Sequence, residues 1–144
     1  MVKRWGEANS PGQAGSQAET LALHHLQNAG LRLVQRNYRV ARGPGARGGE
    51  IDLIMRAPDG TVVFVEVRSR NAVPGAHKGL VTGAVGPTFG GAAASVGGVK
   101  QRRIIFAAQH WLMRQASLPP CRFDVVAIDG GGLQWLQAAF DAGS

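Results

Sequence analysis

The chain has very little cysteine, few acidic residues and no long apolar segment. Its single cysteine, Cys121, excludes an intramolecular disulfide and any cysteine-rich zinc site, and we expect it to be a small core residue at the start of a strand. No segment approaches the ~20 apolar residues that a membrane span requires. The N-terminal residues MVKRWGEANSPGQAG lack the apolar stretch of a secretory signal. These absences predict a cytoplasmic protein with no membrane partner.

Acidic residues number nine, against 16 lysines and arginines, so that the formal net charge at pH 7 is +7. A basic balance of this size favours binding to polyanions such as nucleic acid, without sequence selectivity. The alternative is that the charges only keep the protein soluble. Four of the nine acids belong to the candidate site considered below, namely Glu19, Glu50, Asp52 and Glu66. Basic residues lie elsewhere in the sequence, at Arg32, Arg36, Arg39, Arg42 and Arg47 and at Lys100, Arg102 and Arg103.

The length of 144 residues suits one domain with a substantial core and is too short for two. Residues 1–15 are small, polar and contain Gly and Pro, which predicts a flexible N-terminal tail. Residues 16–140 are expected to form a single domain. Within it, residues 71–98 are rich in Gly and Ala and have no clear period. We interpret them as a loop insertion that forms a mobile flap near the site.

The central feature of the sequence is a predicted hairpin, residues 49–70, GEIDLIMRAPDGTVVFVEVRSR. Alternating β-branched and apolar residues on both sides of Pro58-Asp59-Gly60 predict two strands joined by a turn. A three-residue loop with Gly60 in the left-handed conformation would place residues whose numbers sum to 118 opposite each other. In that register Asp52 faces Glu66, and Glu50 faces Arg68, all on one side of the sheet.

Two carboxylates facing each other on adjacent strands repel, so a positive charge is expected between them. That charge could come from a divalent cation or from a neighbouring arginine. Mg²⁺ is often held by one or two carboxylates while it keeps several waters, which leaves room for a phosphate. The positive charge of Arg68 would suit that phosphate. Asp52, Glu66 and Arg68 therefore form an arrangement suited to phosphodiester hydrolysis.

Hydrophobic periodicity and breaker residues predict the remaining elements. Their order is helix, three strands, helix, strand and a short last strand. The predicted ranges outside the hairpin are a helix at 16–29, a strand at 31–40, a helix at 99–115, and strands at 122–128 and 133–136.

Some polar and aromatic residues in these elements have a structural interpretation. Ser16 and Glu19 match a capping box, in which Glu19 would accept a hydrogen bond from the Ser16 amide. Asp124 lies in an apolar strand, and we expect a buried hydrogen bond or salt bridge for it. Trp111 belongs to the apolar stripe of the second helix and is expected in the core.

Asp52 on one predicted strand and Glu66-x-Arg68 on the next resemble a pattern of the PD-(D/E)XK nuclease superfamily, in which an Asp is followed on the next strand by Glu-x-Lys. This superfamily includes restriction endonucleases and archaeal Holliday-junction resolvases. More closely, the segments GEIDLIMR, VFVEVRSR, GGAAASV, Lys100-Gln101 and CRFDVVAI resemble the YraN family of small, uncharacterised bacterial proteins. The resemblance extends over roughly residues 16–140.

The resemblance implies an α/β fold with a restriction endonuclease-like αβββαβ core, in which helices flank a central mixed sheet. It implies that Asp52 and Glu66 bind Mg²⁺ or Mn²⁺, with the Val67 carbonyl as a third ligand. Glu19, on the first helix, would lie beside the metal instead of capping its own helix. Glu50 would hold a second metal or orient water, and the alternative for Glu50 is a structural pair with Arg68.

Arg68 stands where the superfamily has a lysine. Arginine stays protonated at any working pH and cannot act as a general base, although it can stabilise charge on a phosphate. Lys100 on the second helix is the alternative source of an amine. Two functions therefore stay open. One is a metal-dependent nuclease acting on DNA, including branched or damaged structures, and the other is a non-catalytic nucleic-acid-binding module that keeps the nuclease fold.

Contacts to nucleic acid are expected from basic residues of the glycine-rich loop, of the second helix and of the end of the hairpin. Relatives of the resolvase type often work as dimers, so a homodimer is also expected. The predicted contact residues are Arg42, Arg47, Arg70, Lys100, Arg102 and Arg103.

Overall fold

The computed structural model describes residues 13–41, 48–69, 96–130 and 132–142. The predicted α/β class and the αβββαβ order of the core are confirmed, and one more strand follows the core. The elements are α1 (Gln13–Asn28), β1 (Arg32–Val40), β2 (Gly49–Arg56), β3 (Val62–Ser69), α2 (Gly98–Met113), β4 (Cys121–Asp129) and β5 (Gly132–Phe140).

The five strands of the described residues form one mixed sheet in the order β1-β2-β3-β4-β5. Neighbouring strands are antiparallel except β3 and β4, which are parallel. Parallel neighbours need a long crossover connection, and α2 lies in the connection between these two strands. The described helices are too short or too polar to cross a membrane.

Each helix packs on a different set of strand residues. The side chains of α1, such as Ala22 and Leu26, join a buried cluster with Leu53, Val63 and Val65. The side chains of α2 join a second cluster, whose strand residues include Ile54, Phe64 and Phe123. Successive strand residues alternate between the two clusters, so α1 and α2 cover opposite faces of the sheet.

Trp111 lies in the α2 cluster with 6% of its surface exposed, and its ring meets Phe64 edge-on with centroids 5.9 Å apart. Its predicted place in the core is confirmed. Gly49, at the start of β2, is buried directly beneath α2. A Cβ at this position would collide with the Arg103 carbonyl oxygen and lie 3.1 Å from the Ala107 Cβ. The glycine therefore lets α2 approach β2 closely.

The turn of the hairpin has the predicted geometry. Gly60 has a φ of +96°, in the left-handed region, and the Ala57 amide donates to the Thr61 carbonyl oxygen at 2.8 Å. Four pairs follow in the predicted register, from Arg56 opposite Val62 to Leu53 opposite Val65. The three-residue loop and the register that depends on it are confirmed over these pairs.

The predicted alternation fails at Asp52. Ile51 lies in the α2 cluster together with Ile54, although strict alternation would place it with Leu53 on the α1 side. The recorded β2–β3 pairing ends with Leu53 opposite Val65. Beyond that pair the Asp52 carboxylate accepts a hydrogen bond from the Val67 amide at 2.8 Å. β1 changes phase at the same level, since Asn37, opposite Asp52 in the β1–β2 register, has a φ of +52° and Tyr38 joins Ile51 in the α2 cluster.

The change of phase corrects two predicted pairs. Asp52 and Glu66 are neighbours, but they do not form a regular cross-strand pair. The expected structural pair of Glu50 with Arg68 is wrong, because Glu50 is paired with Arg39 of β1, with 3.5 Å between Oε1 and Nε.

The capping box is also wrong. The helix begins at Gln13, so Ser16 lies inside its first turns, and the Ser16 carbonyl accepts a hydrogen bond from the Thr20 hydroxyl. Cys121 is exposed instead of buried, because it is the first residue of β4 and the buried part of that strand begins at Phe123.

The last strand is longer than predicted. Pairing between β4 and β5 continues past an irregularity as far as Phe140. At this irregularity Ala138 has a φ of +52°, and its amide donates to Asp124 at 2.9 Å. Asp124 also accepts hydrogen bonds from Arg122 and from the Trp135 indole, at 3.0 and 2.8 Å. The buried, hydrogen-bonded role predicted for Asp124 is confirmed, and the extension of β5 depends on it.

Candidate metal centre

Two acidic side chains meet where β2 and β3 separate. The Asp52 carboxylate is held by the Val67 amide, and the Glu66 side chain is 3% exposed. Glu66 Oε2 lies 3.3 Å from the Lys100 ammonium and 3.8 Å from an Arg68 guanidinium nitrogen. The other oxygen, Oε1, is buried and has no hydrogen-bond partner among the described residues. Asp52 shares a side-chain hydrogen bond with Glu66 when it is protonated, so the pair has an unused acceptor oxygen when both acids are ionised.

The electrostatics of these acids show a deficit of positive charge. Burial, the negative charge of Glu66 and, more weakly, that of Glu19 raise the pKa of Asp52 from 3.8 to about 8. Burial also raises the pKa of Glu66, and the Lys100 ammonium offsets part of that increase. No cation among the described residues forms an ion pair with Asp52. A divalent cation bound here would supply the missing charge.

The donor set fits a hard cation such as Mg²⁺ or Mn²⁺. Both acids offer carboxylate oxygens, and Glu66 Oε1 has no hydrogen-bond partner among the described residues. Among the residues that the structure describes, no three acidic, histidine or cysteine side chains are grouped closely enough to hold a metal. Mg²⁺ commonly uses one or two carboxylates and keeps several waters, so a two-carboxylate site suits it. Val67 contacts Asp52 through its amide, and its carbonyl as a third ligand stays a prediction.

Lys100 and Arg68 differ in how they approach Glu66. Lys100 comes from the third residue of α2, and Arg68 comes from β3 itself, two residues after Glu66. The Lys100 contact is shorter, and its side chain is 30% exposed against 39% for Arg68. The structure thus brings an amine to the acidic pair from another element, although the lysine position of the sequence motif holds arginine.

The other predicted site residues divide between the centre and its surroundings. Glu19, on α1, forms an ion pair with Arg36 of β1, with 3.5 Å between Oε1 and Nη2, and its charge contributes to the raised pKa of Asp52. Glu50 points towards Arg39 and is partly exposed. Arg102 and Arg103 lie on α2, next to Lys100 in sequence, with Arg102 exposed and Arg103 partly buried. The residues Arg42, Arg47 and Arg70 lie outside the described part of the chain.

Sequence reasoning missed two contributors to this geometry. The sequence predicted Arg36 only as one of the basic residues outside the candidate site. Its ion pair with Glu19 leaves no pattern in the sequence, because 17 positions separate the two residues. Gly49 sets the approach of α2, which carries Lys100, to β2. A glycine at the first position of an apolar strand was the available signal for a close approach.

The sequence matches the profile of Uncharacterised protein family UPF0102 over residues 18–128. The chain belongs to this family. A UPF0102 protein of Albidiferax ferrireducens is 61% identical over 130 residues, which cover 90% of this chain and 88% of that protein. A UPF0102 protein of Methylibium petroleiphilum is 58% identical over 128 residues, or 89% of this chain and 93% of that protein. A UPF0102 protein of Paracidovorax citrulli is 57% identical over 130 residues, which cover 90% of this chain and 84% of that protein.

The UPF0102 match includes the whole candidate centre, since Glu19, Asp52, Glu66 and Lys100 all fall between residues 18 and 128. The family is uncharacterised, so membership assigns no activity to this chain. The expected membership of a family of uncharacterised bacterial proteins is confirmed.

Proposed function

We propose that this UPF0102 protein is a metal-dependent endonuclease that hydrolyses phosphodiester bonds in nucleic acid, with DNA as the first substrate to test. The proposal includes a restriction endonuclease-like core of the PD-(D/E)XK superfamily and a cytoplasmic location. The observation that carries it is the meeting of Asp52, Glu66 and Lys100 at one point, with a carboxylate oxygen left unpartnered.

The two acids would hold Mg²⁺ or Mn²⁺ between β2 and β3. Such a cation supplies Lewis-acid activation of the phosphoryl group and of a water nucleophile. The Val67 amide fixes the orientation of Asp52, so that this carboxylate loses little conformational freedom on binding the cation. Burial of Glu66 lowers the local dielectric around its carboxylate, which strengthens its interaction with a bound cation.

Lys100 is the basic residue best placed to act on the reacting groups. An ammonium has three donors, so Lys100 can bond to Glu66 and still donate to a phosphate oxygen or to the attacking water. Arg68 stays protonated and is more exposed, which suits a contact to charge on the phosphate. Arg102 and Arg103, with Arg42, Arg47 and Arg70, are proposed to contact the nucleic-acid backbone.

The second candidate is a binding module without catalysis, and it is favoured by the arginine at the lysine position. Two observations weigh against it. Buried carboxylates repel a phosphate backbone, so a module that only binds nucleic acid gains nothing from Asp52 and Glu66. In addition, Lys100 contacts Glu66 and brings an amine to the site, although Arg68 occupies the lysine position of the sequence motif.

The test is cleavage of end-labelled linear, single-stranded and four-way-branched DNA, with Mg²⁺, Mn²⁺ or EDTA. The variants Asp52→Asn, Glu66→Gln and Lys100→Met are purified in parallel with the wild type. Asp59→Asn is the matched control, because Asp59 is an exposed acid of the same hairpin whose turn contact to the Thr61 amide an asparagine can keep. Gel filtration of the protein, alone and with DNA, tests the expected homodimer.

Metal-dependent cutting by the wild type and by the control is expected. Each site variant should lose at least about 100-fold, equivalent to ~2.7 kcal/mol of transition-state stabilisation. Binding without cutting in every metal, with equal or tighter binding by Asp52→Asn, would overturn the nuclease and favour the binding module. Equal cutting by the wild type and all variants would indicate a contaminating nuclease and would likewise overturn the claim.

A further inference from the structure

The ion pair between Glu19 and Arg36 joins α1 to the edge strand β1 beside the metal centre. Glu19 is the more buried partner, with 15% of its side chain exposed against 32% for Arg36. Arg36 Nη2 also lies 3.4 Å from the Thr20 hydroxyl, which itself donates to the Ser16 carbonyl at 3.0 Å. The guanidinium is therefore held against one turn of α1 and keeps Glu19 in a fixed orientation.

This pair is poorly built for stability alone. Its oxygen and nitrogen are 3.5 Å apart, longer than a good charge-assisted hydrogen bond. Arg36 Nε is buried and has no hydrogen-bond partner among the described residues. A half-buried ion pair with an unsatisfied donor contributes little net stability, and apolar side chains could join α1 to β1 as well.

Two observations indicate where Glu19 lies relative to Asp52 and Glu66. Its partner Arg36 lies opposite Leu53 in the β1–β2 register, one residue from Asp52, so the ion pair is beside the acidic pair, and the charge of Glu19 contributes to the raised pKa of Asp52. Yet Glu19 does not complete a group of three side chains able to hold a metal, among the residues that the structure describes. Glu19 thus lies beside the centre without being grouped with Asp52 and Glu66 as a third ligand among the described residues.

We infer that Arg36 is a positioning residue that holds Glu19 outside the metal's ligand shell, where its carboxylate accepts a hydrogen bond from water at the centre formed by Asp52 and Glu66. The inference rests on the proposed function, since it needs a cation at those two acids. Without Arg36, Glu19 loses its compensating charge and is drawn to the cation, displacing a water. The centre then binds the cation but orients the attacking water badly.

The experiment counts coordinated waters with Eu³⁺, a hard, oxygen-seeking cation whose luminescence lifetimes in H₂O and D₂O report the number of bound waters. The proteins are the wild type, Arg36→Met, Glu19→Gln and the double variant Arg36→Met/Glu19→Gln. Arg36→Lys keeps a charge and tests rescue, and Arg36→Gln replaces the methionine variant if that one does not fold. Arg32→Met is the matched control, because Arg32 is an exposed arginine at the start of β1, opposite Arg56.

Arg36→Met should lose about one coordinated water relative to the wild type, and the double variant should regain it. Glu19→Gln alone and Arg32→Met should keep the wild-type number, and Arg36→Lys should stay near it. DNA cleavage by Arg36→Met should fall by about 10- to 100-fold in kcat with KM unchanged, as expected when a partner of a metal site is removed.

Two kinds of result would overturn the inference, and they are distinguishable. If the wild type binds Eu³⁺ and Asp52→Asn does not, the metal site stands. An Arg36→Met protein with the wild-type water count, or a Glu19→Gln protein with a changed count, then overturns the role of Arg36 alone. If Eu³⁺ does not bind, or binds Asp52→Asn equally well, the proposed metal site fails and the inference fails with it.

Discussion

Replacing Asp52 by asparagine should stabilise the metal-free protein. The native protein keeps Asp52 protonated up to a pKa of about 8, whereas the unfolded chain ionises it near 3.8. Folding therefore takes up a proton across this interval, and stability falls as pH rises from about 4 to about 8. Asparagine cannot ionise, and its carbonyl oxygen can still accept the hydrogen bond from the Val67 amide. The substitution should remove the penalty and keep the contact.

The size of this gain follows from the same shift in the pKa of Asp52. About four pKa units correspond to an upper limit of ~5–6 kcal/mol at pH 8, at 1.36 kcal/mol per unit. Asp52 is only partly buried, so solvent screens part of the effect, and we expect about 1–3 kcal/mol. For a chain of this size each kcal/mol shifts Tm by about 3 °C, giving a rise of about 3–9 °C. Near pH 4.5 most of the gain should vanish.

Divalent metal should reverse the order of stability. A cation at ten times its Kd stabilises the wild type by ~1.4 kcal/mol, or about 4 °C, which offsets only part of the expected advantage of the variant. At about 1,000 times its Kd the gain is ~4.1 kcal/mol, which exceeds that advantage and reverses the order. Asp52→Asn, which lacks one of the two proposed ligands, should gain little. Thermal unfolding followed by circular dichroism at pH 4.5, 6 and 8, with EDTA or Mg²⁺, measures both effects. Asp59→Asn serves as the control and should show neither.

One result would refute the reasoning about Asp52. If Asp52→Asn is no more stable than the wild type in EDTA at pH 8, the carboxyl group carries no penalty there, and the argument for a missing cation fails. If Mg²⁺ raises the Tm of the variant and of the wild type equally, the cation binds elsewhere.

Three further predictions concern contacts around the centre and in the core. Lys100→Met should lower the free energy of unfolding by about 1–3 kcal/mol in urea denaturation at pH 8, because Glu66 loses its nearest cation, and unchanged stability would mean that the pair does not form in solution. Gly49→Ala should cost about 2 kcal/mol or more and impair cleavage by displacing α2, whereas Gly98→Ala, whose Cβ would meet only the end of the flexible Arg102 side chain, at 3.4 Å, should do neither. Asp124→Asn should cost about 2–3 kcal/mol and loosen β5, seen as faster amide exchange in that strand, and slow exchange throughout β5 would contradict the role of this carboxylate.

The separation of β2 from β3 explains why a metal centre can form in the middle of a hydrogen-bonded sheet. Regular pairing would occupy the backbone groups around Asp52 and Glu66 and leave the two acids repelling each other on one face. Instead, the Asp52 carboxylate takes the Val67 amide and Ile51 moves to the α2 side. Lys100 therefore reaches Glu66 from α2 on one face, while Glu19 on α1, on the other face, contributes its charge to Asp52.

The amino-acid sequence alone was sufficient for the features that depend on short-range physics. The turn at Pro58-Asp59-Gly60, with a positive φ at Gly60, determined the register of β2 and β3 through four pairs. Strand and helix periods were enough for the α/β class and for the order of elements. Burial of Trp111 and of Asp124 also followed from their place in apolar segments.

Tertiary structure alone decided which groups meet at the centre. The phase change at Asp52 has no periodic signal, because it accompanies a side-chain contact to the Val67 amide and a positive φ at Asn37 on the neighbouring strand. The choice between Lys100 and Arg68 depends on how closely α2 packs on Gly49. Charges on separate elements are brought together only when the core packs, and no local pattern encodes the distance between them.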